Sequence, residues 1–172
     1  LRMMQRMWAD DVDFRLTMSL TPPLCEMLAD PMLQERYVQR LNRLIELASK
    51  QEVERRGTPF EEAARFAAEE LRETHRLYEQ HWQRNILGQF RVMQERGRLE
   101  IITCAATHGF LPLLASDDAR RAQIEIGVRN YEKHFGCKPR GMWLPECAFA
   151  PGLDAIVAEA GIKFFVLESH GL

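Results

Sequence analysis

Nowhere in the 172 residues does an apolar run approach the ~20 that a membrane-spanning helix requires, so no membrane partner is expected. An excess of one charge is also missing. The 23 basic residues nearly balance the 25 acidic ones, leaving a net charge of -2 and no electrostatic reason to expect nucleic acid. Cysteine is sparse and scattered: Cys25, Cys104, Cys137 and Cys147 show no paired spacing. A zinc site usually shows two close pairs, and a disulfide scaffold is shorter and denser in Cys. Free thiols in a reducing cytoplasm are therefore expected, with Cys147 a packing residue. The first residues, Leu1 to Arg6, mix Arg with Met and Gln, which is not the pattern of a secretory signal. There is no internal repeat and no low-complexity tract.

What is present is an ordinary globular composition, with 46% hydrophobic residues, and a clear alternation of elements. Residues 1–9 carry Met3, Met4, Met7 and Trp8 on a helical apolar stripe, read as core packing. Residues 14–20 alternate apolar and polar side chains as a strand does, and Pro22-Pro23 breaks the pattern before a short helix at 24–29. Asp30-Pro31 is a helix start, with Asp at the N-cap and Pro in the first turn, and the periodicity carries that helix to about residue 55. Two further amphipathic helices are expected at 60–82 and 85–95.

From residue 99 onward the order is strand (99–104), helix (117–135), strand (141–144), helix (151–160), strand (163–167). That alternation predicts an α/β fold with a parallel sheet and crossover helices, the strand at 14–20 belonging to the same sheet. The stretch at about 24–96 becomes a helical insertion between early strands, far longer than an ordinary βα loop, for which a lid-like role is one expectation. The chain starts inside a helix and stops just past a strand, so both ends are read as truncated.

Ligands of parallel β/α folds bind at the carboxyl ends of the strands. The polar residues just past those ends are Ser19 and Thr21, Thr107 and His108, Glu146, and Glu168 and His170. Glu146 stands out because Trp143-Leu144-Pro145-Glu146 joins an indole and a carboxylate across a proline. Glycoside chemistry needs a carboxylate to attack the anomeric carbon and an aromatic face for the sugar ring. The alternative is a surface Glu after an edge strand. His108 and His170 each follow a strand in a Thr/Ser-His-Gly step, where an imidazole could bind a sugar hydroxyl, ligate a metal, donate a proton or merely cap the strand.

The segments Glu100 to Leu114 and Arg140 to Phe149, containing Ala106-Thr107-His108-Gly109 and Trp143-Leu144-Pro145-Glu146-Cys147-Ala148, resemble two signature regions of the family-57 glycoside hydrolases. Within that family the chain is most similar to the α-glucan branching enzymes, over essentially its whole length. The strand at 14–20 with Thr21-Pro22-Pro23-Leu24, the Asp30-Pro31 helix and the closing Ser169-His170-Gly171-Leu172 are similar as well.

The resemblance implies a distorted seven-stranded β/α barrel, (β/α)7, of which residues 1–172 would be an N-terminal portion of the catalytic domain. It implies retaining transfer on α-1,4-glucans such as glycogen, amylose or starch, forming α-1,6 branches, with no cofactor and no metal. Glu146 matches the family's nucleophile, while His108, Trp143 and His170 match substrate-binding positions. The family's first, His-containing strand has no counterpart here, and its acid/base Asp would lie beyond Leu172, so residues 1–172 alone are expected to be inactive. Glu168-Ser169 stands where Asp-Thr is expected, which weakens any role for Glu168. The alternatives are an α-amylase or 4-α-glucanotransferase of the same family, or a metal-dependent polysaccharide deacetylase using His108, His170 and Glu168.

Overall fold

The computed structural model describes residues 1–168 and 170. The chain divides into two compact units, one formed by Leu1–Met27 with Leu87–Leu172 and the other by Leu28–Ile86.

The first unit is built on four parallel strands, β1 (Leu16–Ser19), β2 (Leu99–Cys104), β3 (Gly141–Trp143) and β4 (Phe164–Val166), in that spatial order. Every strand falls inside its expected range, and only β2 keeps its full predicted length. The register fixes which side chains share a face. Thr103 pairs with Met142, and Met142 with Phe165, so these lie on one face. Cys104, Trp143 and Val166 are likewise aligned on the other.

Helices α6 (Asp117–Phe135) and α7 (Leu153–Glu159) cover the Met142 face. There Ile124 and Val128 of α6 and Ile156 and Val157 of α7 bury against Met142 and Leu144. Each such aliphatic side chain contributes roughly 1.5–3 kcal/mol relative to exposure. The ends of α6 follow local rules. Ser116 Oγ accepts the Ala119 N–H at 3.2 Å, Asp117 and Asp118 occupy the first turn, and Gly136 closes the helix with a left-handed φ of 71°.

Two glycines set how closely this unit packs. Gly127 lies mid-helix in α6, where a Cβ would stand 2.2 Å from the Cys104 carbonyl oxygen. Thr103 Oγ1 donates to the Gly127 carbonyl at 3.0 Å, fixing the helix on the end of β2. Gly141 opens β3 under the ring of Phe164, whose nearest atom would lie 2.3 Å from an added Cβ.

The N-terminal helix α1 (Arg2–Ala9) buries Met4, whereas Met3 is exposed, so only part of the Met stripe is core. Thr21 precedes α2 (Pro22–Ala29), and its Oγ1 accepts the Leu24 N–H at 3.4 Å. Glu26 of α2 then binds Lys133 Nζ at 2.7 Å, His134 Nε2 at 2.9 Å and Asn130 Nδ2 at 2.6 Å, all from α6.

The second unit is helical. Helix α3 (Pro31–Glu54) begins where Asp30-Pro31 predicts, with Asp30 Oδ1 accepting the Leu33 N–H at 2.9 Å. It pairs with α4 (Glu61–Arg76), burying Val38, Leu41 and Ala68. The helix expected at 60–82 is helical from Glu61 to His81, but its last turn is not α. The chain widens into a π turn at Leu77–His81, closed by Trp82 N–H to Leu77 O at 2.7 Å. That turn buries Tyr78, whose ring meets Tyr37 edge-on at 4.8 Å. Helix α5 (Ile86–Glu95) follows and leads to β2.

Candidate active site

Two loops at the carboxyl ends of neighbouring strands, after β2 and after β3, deliver the candidate residues. After Cys104 the chain turns sharply, with His108 N–H donating to Ala105 O at 3.0 Å, and His108 adopts a left-handed φ of 59°. After Trp143 the segment Pro145–Cys147 makes one 3-10 turn in which Glu146 and Cys147 hold φ of 55° and 52°. A non-glycine residue in that region carries roughly 1–2 kcal/mol of strain.

The two turns bring the side chains together. His108 Nε2 lies 3.6 Å from Glu146 Oε1, and Glu146 is 73% exposed while His108 is 39% exposed. That is ion-pair range and longer than a direct hydrogen bond. The second ring nitrogen of His108, Nδ1, lies 3.1 Å from Cys104 Sγ. Burial pushes the Cys104 thiol up to about 11, and the negative charge of Glu146 adds to that rise.

Helix α6 steadies the His108 loop from behind. Gln123 Oε1 accepts the Thr107 N–H at 3.0 Å, its Nε2 donates to Thr107 Oγ1 at 2.9 Å, and its own carbonyl accepts the Ala106 N–H at 2.9 Å. Arg120 donates to the carbonyls of Leu111, Pro112 and Leu114, which hold the 3-10 turn Leu111–Leu113. These are the anchors that rigid placement of a reacting side chain requires.

The remaining candidates are placed differently. Trp143 ends β3 half-buried, on the same face as Cys104 and three residues before Glu146. Glu168 N–H donates to Cys147 O at 3.3 Å, tying the end of β4 to the Glu146 turn. His170 is 88% exposed, and its Nδ1 lies 2.5 Å from Glu168 Oε1, so its imidazole is engaged two residues back along its own chain. Ser169 and Gly171, which complete its Ser-His-Gly step, and Leu172 lie outside the described residues.

The Thr21 hydroxyl serves a local turn, that of Thr107 bonds Gln123 of α6, and Ser19 Oγ is buried with no hydrogen-bond partner among the described residues. A cavity of about 320 Å³ opens at the opposite, amino-terminal ends of β1 and β2, between Arg15, Gln94, Arg98 and Glu100. It is remote from the paired loops along the strands and shares no residue with them. Among the described residues no three His, Cys, Asp or Glu side chains are grouped to hold a metal ion, and no helix is long and apolar enough to cross a membrane.

Cys104, Gln123, Arg120 and Gly127 were not singled out by the sequence pattern. The Cys-x3-His spacing across a strand end and a glycine in mid-helix are the signals that could have found two of them.

Comparison with known proteins gives this geometry a family. A 1,4-alpha-glucan branching enzyme of Thermococcus kodakarensis is 35% identical over 96% of this chain and 26% of its own length. The crystal structure of the alpha-amylase AmyC from Thermotoga maritima is 44% identical, with a TM-score of 0.89 over 98% of this chain and 33% of its own. That of a branching enzyme from Pyrococcus horikoshii is 35% identical, with a TM-score of 0.92 over 96% and 34%. The chain thus spans about a third of the solved relatives' length. The description of glycosyl hydrolase family 57 matches residues 2–171, and the chain belongs to that family.

Proposed function

We propose that Glu146 is the nucleophile of a retaining glycosyl-transfer site for α-1,4-glucans, and that the protein forms α-1,6 branches. The observation that carries this reading is the approach of Glu146 Oε1 to His108 Nε2 from two adjacent parallel strands, at the end of the sheet where β/α folds bind ligands. A carboxylate held open to solvent in a rigid turn is available to attack an anomeric carbon. His108, Trp143 and His170 bind the sugar around it, His108 as a hydrogen-bond donor and Trp143 as an apolar face.

In this reading the four strands are part of a distorted seven-stranded β/α barrel. Residues 1–172 are an N-terminal portion of it, with a helical insertion at about 24–96. The acid/base Asp that the family resemblance implies lies on a strand outside these residues. Retaining enzymes hold the two carboxyl groups ~5–5.5 Å apart. That Asp protonates the departing glycosidic oxygen while Glu146 takes the glucosyl group. A sugar hydroxyl of a second glucan chain then displaces Glu146, returning its proton to the Asp. Residues 1–172 alone, lacking the second carboxyl, turn over no glucan. The four free cysteines fit a cytoplasmic setting such as glycogen synthesis.

A second reading, hydrolysis, is favoured by the 44% identity to the alpha-amylase AmyC of Thermotoga maritima. Transfer and hydrolysis share the first step and part at the acceptor, so products separate them. The deacetylase alternative asks for a ligand set that the described residues do not assemble.

In the protein with its full catalytic domain, Glu146→Gln is expected to lower glucan turnover by roughly 10³-fold or more while glucan binding persists. Near-normal rates in that variant defeat the nucleophile assignment. New α-1,6 linkages in amylose treated with the wild type support branching, and short linear products alone defeat it in favour of hydrolysis.

A further inference from the structure

Cys104 is fully buried at the last position of β2, yet its Sγ lies 3.1 Å from Nδ1 of the half-exposed His108. The opposite nitrogen of the same ring, Nε2, is the atom that faces Glu146 at 3.6 Å. We propose that Cys104 is a positioning residue whose thiol donates to His108 Nδ1, so that the ring's single proton is held on Nε2 and turned toward Glu146 and the sugar beside it. This rests on the reading of Glu146 and His108 given above.

The chemistry of the neutral ring makes the coupling direct. Neutral imidazole has one N–H and one bare nitrogen, and the partner of either nitrogen decides which is which. A thiol at Nδ1 can donate only to a bare nitrogen, and that leaves Nε2 as the N–H. Among the described residues the side-chain partner of the Cys104 sulfur is His108 Nδ1, so the S–H has the ring nitrogen as its acceptor. The left-handed φ of His108 and its Ala105 hydrogen bond fold the imidazole back over the end of β2. An ordinary helical or extended φ at residue 108 would aim the ring elsewhere.

A thiol and an imidazole at this separation could also form a thiolate–imidazolium nucleophile. Two observations oppose that. Cys104 is buried, and the nearby Glu146 carries negative charge, and both raise the thiol to about 11. The remaining side chains at the loop, Thr107 and Gln123, are uncharged and already bonded to each other. Cys104 therefore stays an S–H donor at neutral pH.

The test is spectroscopic and is made on the resting protein without glucan. In the infrared, the S–H stretch lost in Cys104→Ala identifies the Cys104 band. That band is expected at lower frequency than the other thiols in the wild type and should rise in His108→Phe. In ¹⁵N-histidine NMR of the wild type, above the titration of the ring, the His108 resonances should show Nδ1 bare and Nε2 protonated. Cys104→Ser should keep that pattern, since a hydroxyl also donates.

A Cys104 band indifferent to His108→Phe, or a wild-type ring protonated on Nδ1, overturns the proposal. The NMR arm needs no variant, so a misfolded mutant leaves the question answerable. Neither readout involves turnover. A failed thiol contact is therefore told apart from a failed nucleophile assignment, which Glu146→Gln reports.

Discussion

The left-handed turn that ends α6 and the left-handed turns that carry His108 and Glu146 solve the same backbone problem with different residues. At Gly136 a φ of 71° is needed only to stop a helix, nothing lies within 4 Å of where a Cβ would be, and glycine fills the position without strain. At His108 and Glu146 the φ values are 59° and 55°, yet the positions carry an imidazole and a carboxylate. At the end of α6 the shape alone matters and glycine supplies it; in the two loops a side chain must leave that shape, and roughly 1–2 kcal/mol of strain is tolerated at each position. Asp11, Gln83 and Arg84 hold left-handed φ in other turns, but at His108, Glu146 and Cys147 the strain falls in the two loops that meet at 3.6 Å, which suits a site held ready.

The strongest way to break that comparison is to give the site the residue that the helix end uses. Glu146→Gly should abolish glucan turnover, by roughly 10³-fold or more. The same change should raise stability by about 0.5–1 kcal/mol in thermal unfolding, because relief of the left-handed strain exceeds the extra chain entropy of glycine. Loss of stability together with loss of activity would mean that the Glu146 side chain holds the turn rather than serving the reaction.

Next in size is the close approach of α6 to β2. Gly127→Ala puts a methyl 2.2 Å from the Cys104 carbonyl oxygen, and backbone rather than a flexible side chain must yield. An unfolding measurement should show a loss of about 2–3 kcal/mol. Because Thr103 ties this helix to β2 while Gln123 and Arg120 tie it to the chain after β2 that carries His108, activity should fall beyond the change in folded fraction. A smaller effect follows at the helix end. Gly136→Ala meets no atom, so it should cost only the backbone term, about 1 kcal/mol, with kcat unchanged. A drop in kcat there would show that the end of α6 is coupled to the site, and the contrast drawn above would fail.

Much of the frame was legible because it rests on local rules. Asp30-Pro31 announced a helix start that Asp30 does cap, the apolar run at 99–104 announced a buried parallel strand, and the helix expected at 117–135 is α6, closed by Gly136. The π turn at Leu77–His81 was not legible, since the apolar periodicity runs on through it and the widening comes from packing Tyr78 against Tyr37. For the site, the spacing of strand ends pointed to Glu146 and His108, and the structure puts them face to face. The contact of Cys104 with His108 depends on a φ value that no propensity announces for histidine. His170 shows the converse: its place after a strand resembles that of His108, yet its partner is Glu168.

The smallest effect concerns how α6 is held at the end away from the His108 loop, where Glu26 meets Lys133, His134 and Asn130 on the protein surface. The hydrogen bonds from Lys133 and then His134 hold the Glu26 carboxyl down at about 2. A depressed carboxyl stabilises the fold above the ordinary carboxylate range, and that contribution is lost as pH falls from about 4.5 through about 2. The group is well exposed, so solvent screening limits the effect to at most about 1 kcal/mol. Glu26→Gln should therefore unfold slightly more easily at neutral pH. Its stability should also fall less steeply between about pH 4.5 and 2, with added salt shrinking the difference. Kinetics should be untouched, because the fixings of Thr107 and Leu111 sit at the other end of the helix. A matching loss of kcat would show that an exposed ion pair, and not the buried contact at Gly127, sets the position of α6 against the site.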